Sequence, residues 1–162
     1  MSNYDMPEGF NGYIICPSSH GLWNTETAAN NINEILTQFS ENHNIDKDNI
    51  VIVGHSMGGD GALYLPNSPV FNQEDGFKFK KAAVLTGYPN SEQKYNIPVG
   101  LWVDSGSKWA LDEYVAPYLD FDGKDKYVNM CYYEHGMVDN ETFKLDTNGN
   151  GRADIFEWLF DY

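Results

Sequence analysis

Positive charge is what this chain has least of: 10 Lys and Arg stand against 24 Asp and Glu, a formal net charge of −14 over 162 residues. Phosphate backbones reward clustered Lys and Arg, so nucleic acid is excluded as the expected partner. Long apolar runs are also missing. The most apolar stretches, "AAVLTG" and "DIFEWLF", fall far below the ~20 residues that span a bilayer, which argues against a membrane role. The opening "MSNYDMPEGF" has neither a basic region nor an apolar core, so no secretory signal is visible. The expectation is a cytoplasmic protein or a piece of a longer exported one. Cysteine is scarce as well. Cys16 and Cys131 each sit inside an apolar run, "YIICP" and "YVNMCYYE", and both are expected to be buried thiols rather than a disulfide framework.

What is present suits one globular domain over residues 1–162, long enough to bury a core. Short apolar runs recur at 12–17, 49–54, 81–87, 97–104 and 127–134, separated by helical patterns. Continuous apolar runs of this length read as strands buried on both faces of a parallel sheet. Between the first two lies "TETAANNINEILTQFSENHNI", with Thr25 as N-cap and Ala28, Ile32, Ile35, Leu36 and Phe39 as an apolar stripe. Further helices are predicted from Met57 to Pro66, around Trp109 to Ala116, and in "ADIFEWLFDY". Strand–helix alternation predicts an α/β class, a doubly wound and mostly parallel sheet of about five strands. The link 87–97 is barely long enough for a parallel crossover, so no lid domain fits there.

The most informative stretch is "NIVIVGHSMGGDGALYL", residues 49–65. A strand, a one-residue turn and a helix put a serine at the carboxyl edge of the sheet, and glycines at 54 and 58 make the turn sterically feasible. This is the pattern of a nucleophile elbow. It exposes the Ser56 hydroxyl, and the amide of Met57 points to where an oxyanion would form.

At these residues the chain resembles the α/β-hydrolase superfamily, and within it the esterases related to feruloyl esterases and polyhydroxybutyrate depolymerases. The resemblance runs over "GYIICPSSHGLW", "NHNIDKDNIVIVGHSMGGDGAL", a histidine loop and a terminal "EWLF" helix. It implies a minimal fold of that type, without a lid and lacking the first strands. It also implies a triad in the order Ser, Asp or Glu, His. His135 in "YYEHGM" follows the last strand, where the family keeps its base. The acid falls in "LWVDSGSKWALDEYV", where Trp109 stands at the place of the family's Asp: Asp104 ends the strand, and Asp112, about one helical turn beyond Trp109, is the alternative. The second oxyanion donor, carried by a His-Gly loop in the family, would have to come from "PSSHGLW", through the backbone of His20-Gly21 or through Ser18 and Ser19. His43 is expected on the solvated surface, and His55 is expected to point away from Ser56.

A second pattern, "DTNGNGRADIFE" at 146–157, has the spacing of an EF-hand loop. Asp146, Asn148 and Asn150 occupy positions 1, 3 and 5, Gly151 position 6, the Arg152 carbonyl position 7, Asp154 position 9 and Glu157 position 12. The expected ligand is a structural Ca2+ of weak or moderate affinity that pins the last helix; no organic cofactor is expected.

Two readings of function follow. One is a serine hydrolase acting by acyl transfer on a small-molecule or carbohydrate-linked ester, at an open site edged by Trp23, Tyr88, Trp102 and Trp109. The other is a hydrolase-like binding or structural module with little catalysis, one domain of a larger chain. A shortened sheet exposes edges, which a second copy or a neighbouring domain would cover.

Overall fold

The computed structural model describes residues 6, 8–88, 94–130 and 132–161. Four strands form one sheet: β1 (Ile50–His55), β2 (Phe79–Leu85), β3 (Val99–Asp104) and β4 (Lys126–Met130). They lie in the order β1-β2-β3-β4, and every neighbouring pair is parallel. Among the described residues five α-helices accompany them: α1 (Glu26–Ser40), α2 (Met57–Tyr64), α3 (Lys108–Tyr114), α4 (Val138–Thr142) and α5 (Asp154–Phe160).

Side chains alternate across the sheet with a period of two, and each face meets its own helices. Val84, Leu101 and Val103 face Ala62 and Leu63 of α2 and Leu111 of α3. Ala83, Leu85, Trp102 and Met130 face the other way, onto Val138 of α4 and Ile155, Phe156 and Leu159 of α5. A third cluster joins Ala29 and Leu36 of α1 to Leu65, Phe71, Phe77 and Phe79. Both faces of the central strands are therefore dry, which explains their unbroken apolar sequences. Each fully buried Leu or Val contributes roughly 1.5–3 kcal/mol of hydrophobic stabilisation.

The local signals for α1 hold. Thr25 caps it, its hydroxyl oxygen accepting from the Ala28 N–H at 3.1 Å. Of the predicted stripe, Ile35 is exposed, so the buried face is narrower than the sequence pattern. Helix α2 ends in a 3-10 turn containing Pro66, whose missing N–H stops regular helix there.

Three expectations are corrected. The run at 12–17 forms no strand: Tyr13 and Ile14 are exposed, and only Ile15 packs against the α1 cluster. An apolar run becomes a strand only when a neighbour supplies ladder hydrogen bonds, and no described residue does so here. The sheet consequently has four strands among the described residues, not five. Cys16, on that same segment, is exposed rather than buried; Cys131 lies outside the described residues. Trp102 is fully buried, at 0 % exposure, in edge contact with Trp158 at 5.8 Å between ring centroids. It is a core residue and does not edge a site.

Candidate active site

The carboxyl ends of the strands carry the polar side chains. At the end of β1, Ser56 adopts φ 55 and ψ −122, outside the conformations open to most L-residues. Its N–H donates to the Leu85 carbonyl at 2.8 Å, which holds the turn against β2. A serine at a helix N-cap ordinarily spends its hydroxyl on the first turn. Ser56 makes no such side-chain bond, so its Oγ is turned outward and left for another partner.

Glycine is required at two close approaches here. A Cβ on Gly54 would stand 1.9 Å from the Gly58 carbonyl oxygen, and one on Gly87 would stand 2.4 Å from the Gly59 backbone. The chain at the end of β2 thus runs in backbone contact with the first turn of α2. Thr86, at that crossing, also has positive φ, at 55. Asp60 of α2 clasps the same point, its Oδ1 accepting from the Tyr88 N–H at 2.6 Å. Burial pushes the Asp60 carboxyl above its usual range, and the Tyr88 amide offsets part of that rise.

His135 opens a 3-10 turn, five residues after the end of β4. Its Nε2 lies 2.9 Å from Ser56 Oγ, and its Nδ1 lies 3.2 Å from Asp104 Oδ2. A carboxylate oxygen only accepts, so the neutral ring carries its proton on Nδ1 and offers a lone pair at Nε2 to the serine hydroxyl.

Asp104 is the last residue of β3 and is 1 % exposed. Its carboxylate accepts from the Gly106 N–H at 2.7 Å, the Ser107 N–H at 2.8 Å and the Ser107 hydroxyl at 2.9 Å. Burial pushes its pKa up. The amide and hydroxyl of Ser107, then His135 and the Gly106 amide, outweigh that effect and hold the carboxyl below the usual range. Asp112, the alternative acid, sits elsewhere: it pairs with Lys108 on the exposed face of α3 and accepts from the Tyr127 hydroxyl at 3.3 Å.

Two neighbours of this constellation were not legible as such. Ser107 Oγ donates to Asp104 Oδ2 and lies 3.3 Å from His135 Nδ1, so it bridges acid and imidazole. The signal was the Asp-Ser-Gly-Ser turn, in which an Asp oxygen accepts the amides two and three residues on. His55 Nε2 lies 2.8 Å from the backbone carbonyl of His135; a contact across 80 residues leaves no local signature. His43 behaves as expected, exposed and stacked on Phe39.

The oxyanion candidates divide. Met57 is the first residue of α2, so its N–H has no intrahelical acceptor and sits beside Ser56. Ser18 and Ser19 line a cavity of about 440 Å3 with Trp23 and with Ala28, Ile32 and Ile35 of α1, and its walls include none of Ser56, Asp104 or His135. The Ser19 hydroxyl is engaged in its own turn, with Gly21. Tyr88 and Trp109 are exposed beside the strand ends, Trp109 at 68 %.

The loop at 146–157 is organised around its carboxylates. Asp146 Oδ1 accepts from Gly149 N–H at 2.8 Å and Asn150 N–H at 3.2 Å, and its Oδ2 accepts from Gly151 N–H at 2.7 Å. Gly149 and Gly151 have φ of 71 and 82, which makes the sharp turn. Asn148 and Asn150 donate to the two oxygens of Glu157. Asp154 instead accepts from the N–H and hydroxyl of Thr147. Among the described residues no group of three or more His, Cys, Asp or Glu side chains is arranged to hold a metal ion. A cation at this loop would have at most the Asp146 and Glu157 carboxylates and would depend for its other ligands on asparagine and backbone oxygens, including the Arg152 carbonyl.

The parallel sheet with helices on both faces and the strained serine turn define a minimal, hydrolase-like α/β fold. No protein-family model matches the chain, and no curated protein does. A crystal structure of a SOBER1 variant from Arabidopsis thaliana is similar at 18 % identity and a TM-score of 0.39, over 82 % of this chain and 62 % of that one. The chain thus spans less than two thirds of that protein.

Proposed function

We propose that the protein is a serine hydrolase that cleaves an ester by acyl transfer. The observation that carries this reading is the relay Ser56 Oγ–His135 Nε2 at 2.9 Å and His135 Nδ1–Asp104 Oδ2 at 3.2 Å, at a turn whose strain exposes the hydroxyl. A serine hydroxyl is a weak nucleophile at neutral pH and needs a base within hydrogen-bond reach, itself oriented by a third group.

In the proposed cycle, Ser56 Oγ attacks the ester carbonyl carbon while its proton passes to His135 Nε2. The C–Oγ bond forms and the carbonyl π pair becomes an oxyanion facing the Met57 N–H. Asp104 stabilises the imidazolium. The tetrahedral species collapses, the C–O bond to the alcohol breaks, and His135 returns the proton to the departing oxygen. Water repeats the sequence on the acyl-enzyme and releases the acid, restoring Ser56. Tyr88 and Trp109, exposed three and five residues beyond the ends of β2 and β3, support a small-molecule or carbohydrate-linked ester with an aromatic or sugar group to lay against them.

One observation favours the second reading, a hydrolase-like module with weak catalysis. Met57 alone of the oxyanion candidates adjoins Ser56, and removing one such donor costs about 2.7–4 kcal/mol of transition-state stabilisation. A fluorophosphonate probe separates the two. Labelling that Ser56→Ala abolishes supports the hydrolase; a folded protein that resists labelling supports the module.

Calcium at 146–157 belongs to the same proposal as a structural ligand. The glycine turn, the inward carboxylates of Asp146 and Glu157, and Asn148, Asn150 and Arg152 support it. Asp154, tied to Thr147, would ligate through a water. Bound there, the cation would brace α5 against the sheet.

A further inference from the structure

We infer that His55 is a positioning residue for the imidazole of His135, holding the backbone of that histidine while Ser56 meets its ring. The inference rests on the acyl-transfer reading for its kinetic consequence, though not for its geometry.

His55 ends β1 and is paired in register with Leu85 of β2, so its backbone is fixed by the sheet. Its Nε2 lies 2.8 Å from the His135 carbonyl oxygen, and the two ring centroids are 5.0 Å apart. A carbonyl only accepts, so His55 carries a proton on Nε2 and donates. His135 needs such a hold. It sits on a single 3-10 turn rather than on a strand or long helix, and its side chain is 48 % exposed. The bonds at Nδ1 and Nε2 grip the ring at opposite edges, and the turn itself runs into α4, whose Val138 is buried. The bond at the carbonyl adds a fixed point on the backbone of His135 itself. Because residues 55 and 56 are consecutive, one strand end sets both the nucleophile and the backbone of its base, and their separation depends on no intervening loop.

The test uses His55→Leu, which has no donor, His55→Gln, whose amide nitrogen reaches about as far as Nε2, and His55→Asn, whose amide falls short. Two readouts are taken on folded samples, verified by melting: kcat and KM on a short-chain nitrophenyl ester, and the ring nitrogens of His135 in long-range 1H–15N spectra. The expected result is a fall in kcat of about 10- to 100-fold for Leu and Asn with KM nearly unchanged, as for a misplacement of about an ångström, and recovery in Gln. The spectra should report one tautomer of His135, protonated at Nδ1, in the wild type and Gln variant, and averaging in Leu and Asn. Leu indistinguishable from wild type in both readouts, or Gln as impaired as Leu, overturns the inference. If the wild type resists fluorophosphonate labelling while the spectra still depend on His55, the hydrolase reading falls and the positioning role stands.

Discussion

Replacing Asp104 by Asn changes one carboxylate oxygen for an amide nitrogen, and the structure says what each atom would then do. Oδ1 keeps the bonds from the Gly106 and Ser107 amides at 2.7 and 2.8 Å, so the turn persists. The new NH2 group occupies the place of Oδ2, 3.2 Å from His135 Nδ1 and 2.9 Å from Ser107 Oγ. Two N–H groups cannot face each other, so His135 moves its proton to Nε2. The lone pair that faced Ser56 Oγ at 2.9 Å is then gone. A tautomer swap in an otherwise intact triad lowers kcat about 10,000-fold, equivalent to about 5.4 kcal/mol at ~1.36 kcal/mol per decade. The cost in stability is smaller, on the order of 1–2 kcal/mol, because charge-assisted bonds become neutral ones. The sign with pH follows from the lowered carboxyl. Its stabilising contribution is complete above the ordinary carboxylate pKa of about 4 and is lost as pH falls through the lower folded value, so the gap between wild type and variant closes in acid. The assay is nitrophenyl ester turnover for Asp104→Asn and Asp112→Asn, with urea melts at pH 7 and pH 3. Asp112 is exposed and paired with Lys108, so its variant should stay within about threefold of wild type, as surface changes do. Turnover by Asp104→Asn within tenfold of wild type, or a collapse on Asp112→Asn, would refute the reasoning.

Three further outcomes are expected. Gly54→Ala puts a Cβ 1.9 Å from the Gly58 carbonyl oxygen and 2.8 Å from the Gly59 nitrogen; backbone cannot yield as a side chain can, so the urea midpoint should fall by at least the ~1–3 kcal/mol of an overpacked core, and Ser56 should escape fluorophosphonate. An unchanged midpoint with normal labelling would show that the elbow is built otherwise. Asp60→Asn keeps an acceptor for the Tyr88 N–H while removing a charge that burial disfavours; the variant should be the more stable protein at pH 7 and lose that advantage as pH falls through the raised Asp60 value and wild type protonates. Melting midpoints across that range check it, and a constant difference speaks against the burial argument. Saturating Ca2+ should raise the melting temperature relative to a chelator, and Asp146→Ala together with Glu157→Ala should abolish the difference; equal melts with and without Ca2+ in the wild type would remove calcium from the proposal.

Much of this molecule is written in short windows of sequence. A buried parallel strand needs apolar side chains on both faces, so "NIVIVG", "KAAVLTG" and "IPVGLWVD" announce β1, β2 and β3 without reference to neighbours. The elbow is equally local, because the collision that demands Gly54 involves Gly58, four residues away. Thr25 and Pro66 mark helix boundaries for the same reason. What the chain could not announce is whatever depends on a partner distant in sequence. The run at 12–17 has a strand's composition, yet no described strand lies beside it, and Cys16 and Ile14 stand exposed as a result. Trp102 reads as easily for a site wall as for core, and only the packing of α5 decides for core. Asp104 and Asp112 are eight positions apart, one ending β3 and the other on α3; the path of β3 and the Ser107 turn carry one to His135, and the helix leaves the other in solvent. The grip of His55 on the His135 carbonyl spans 80 residues and exists only once β1 and the turn after β4 share one edge. Local sterics and burial can be read from the chain; contacts closed by the path of the backbone exist only in three dimensions.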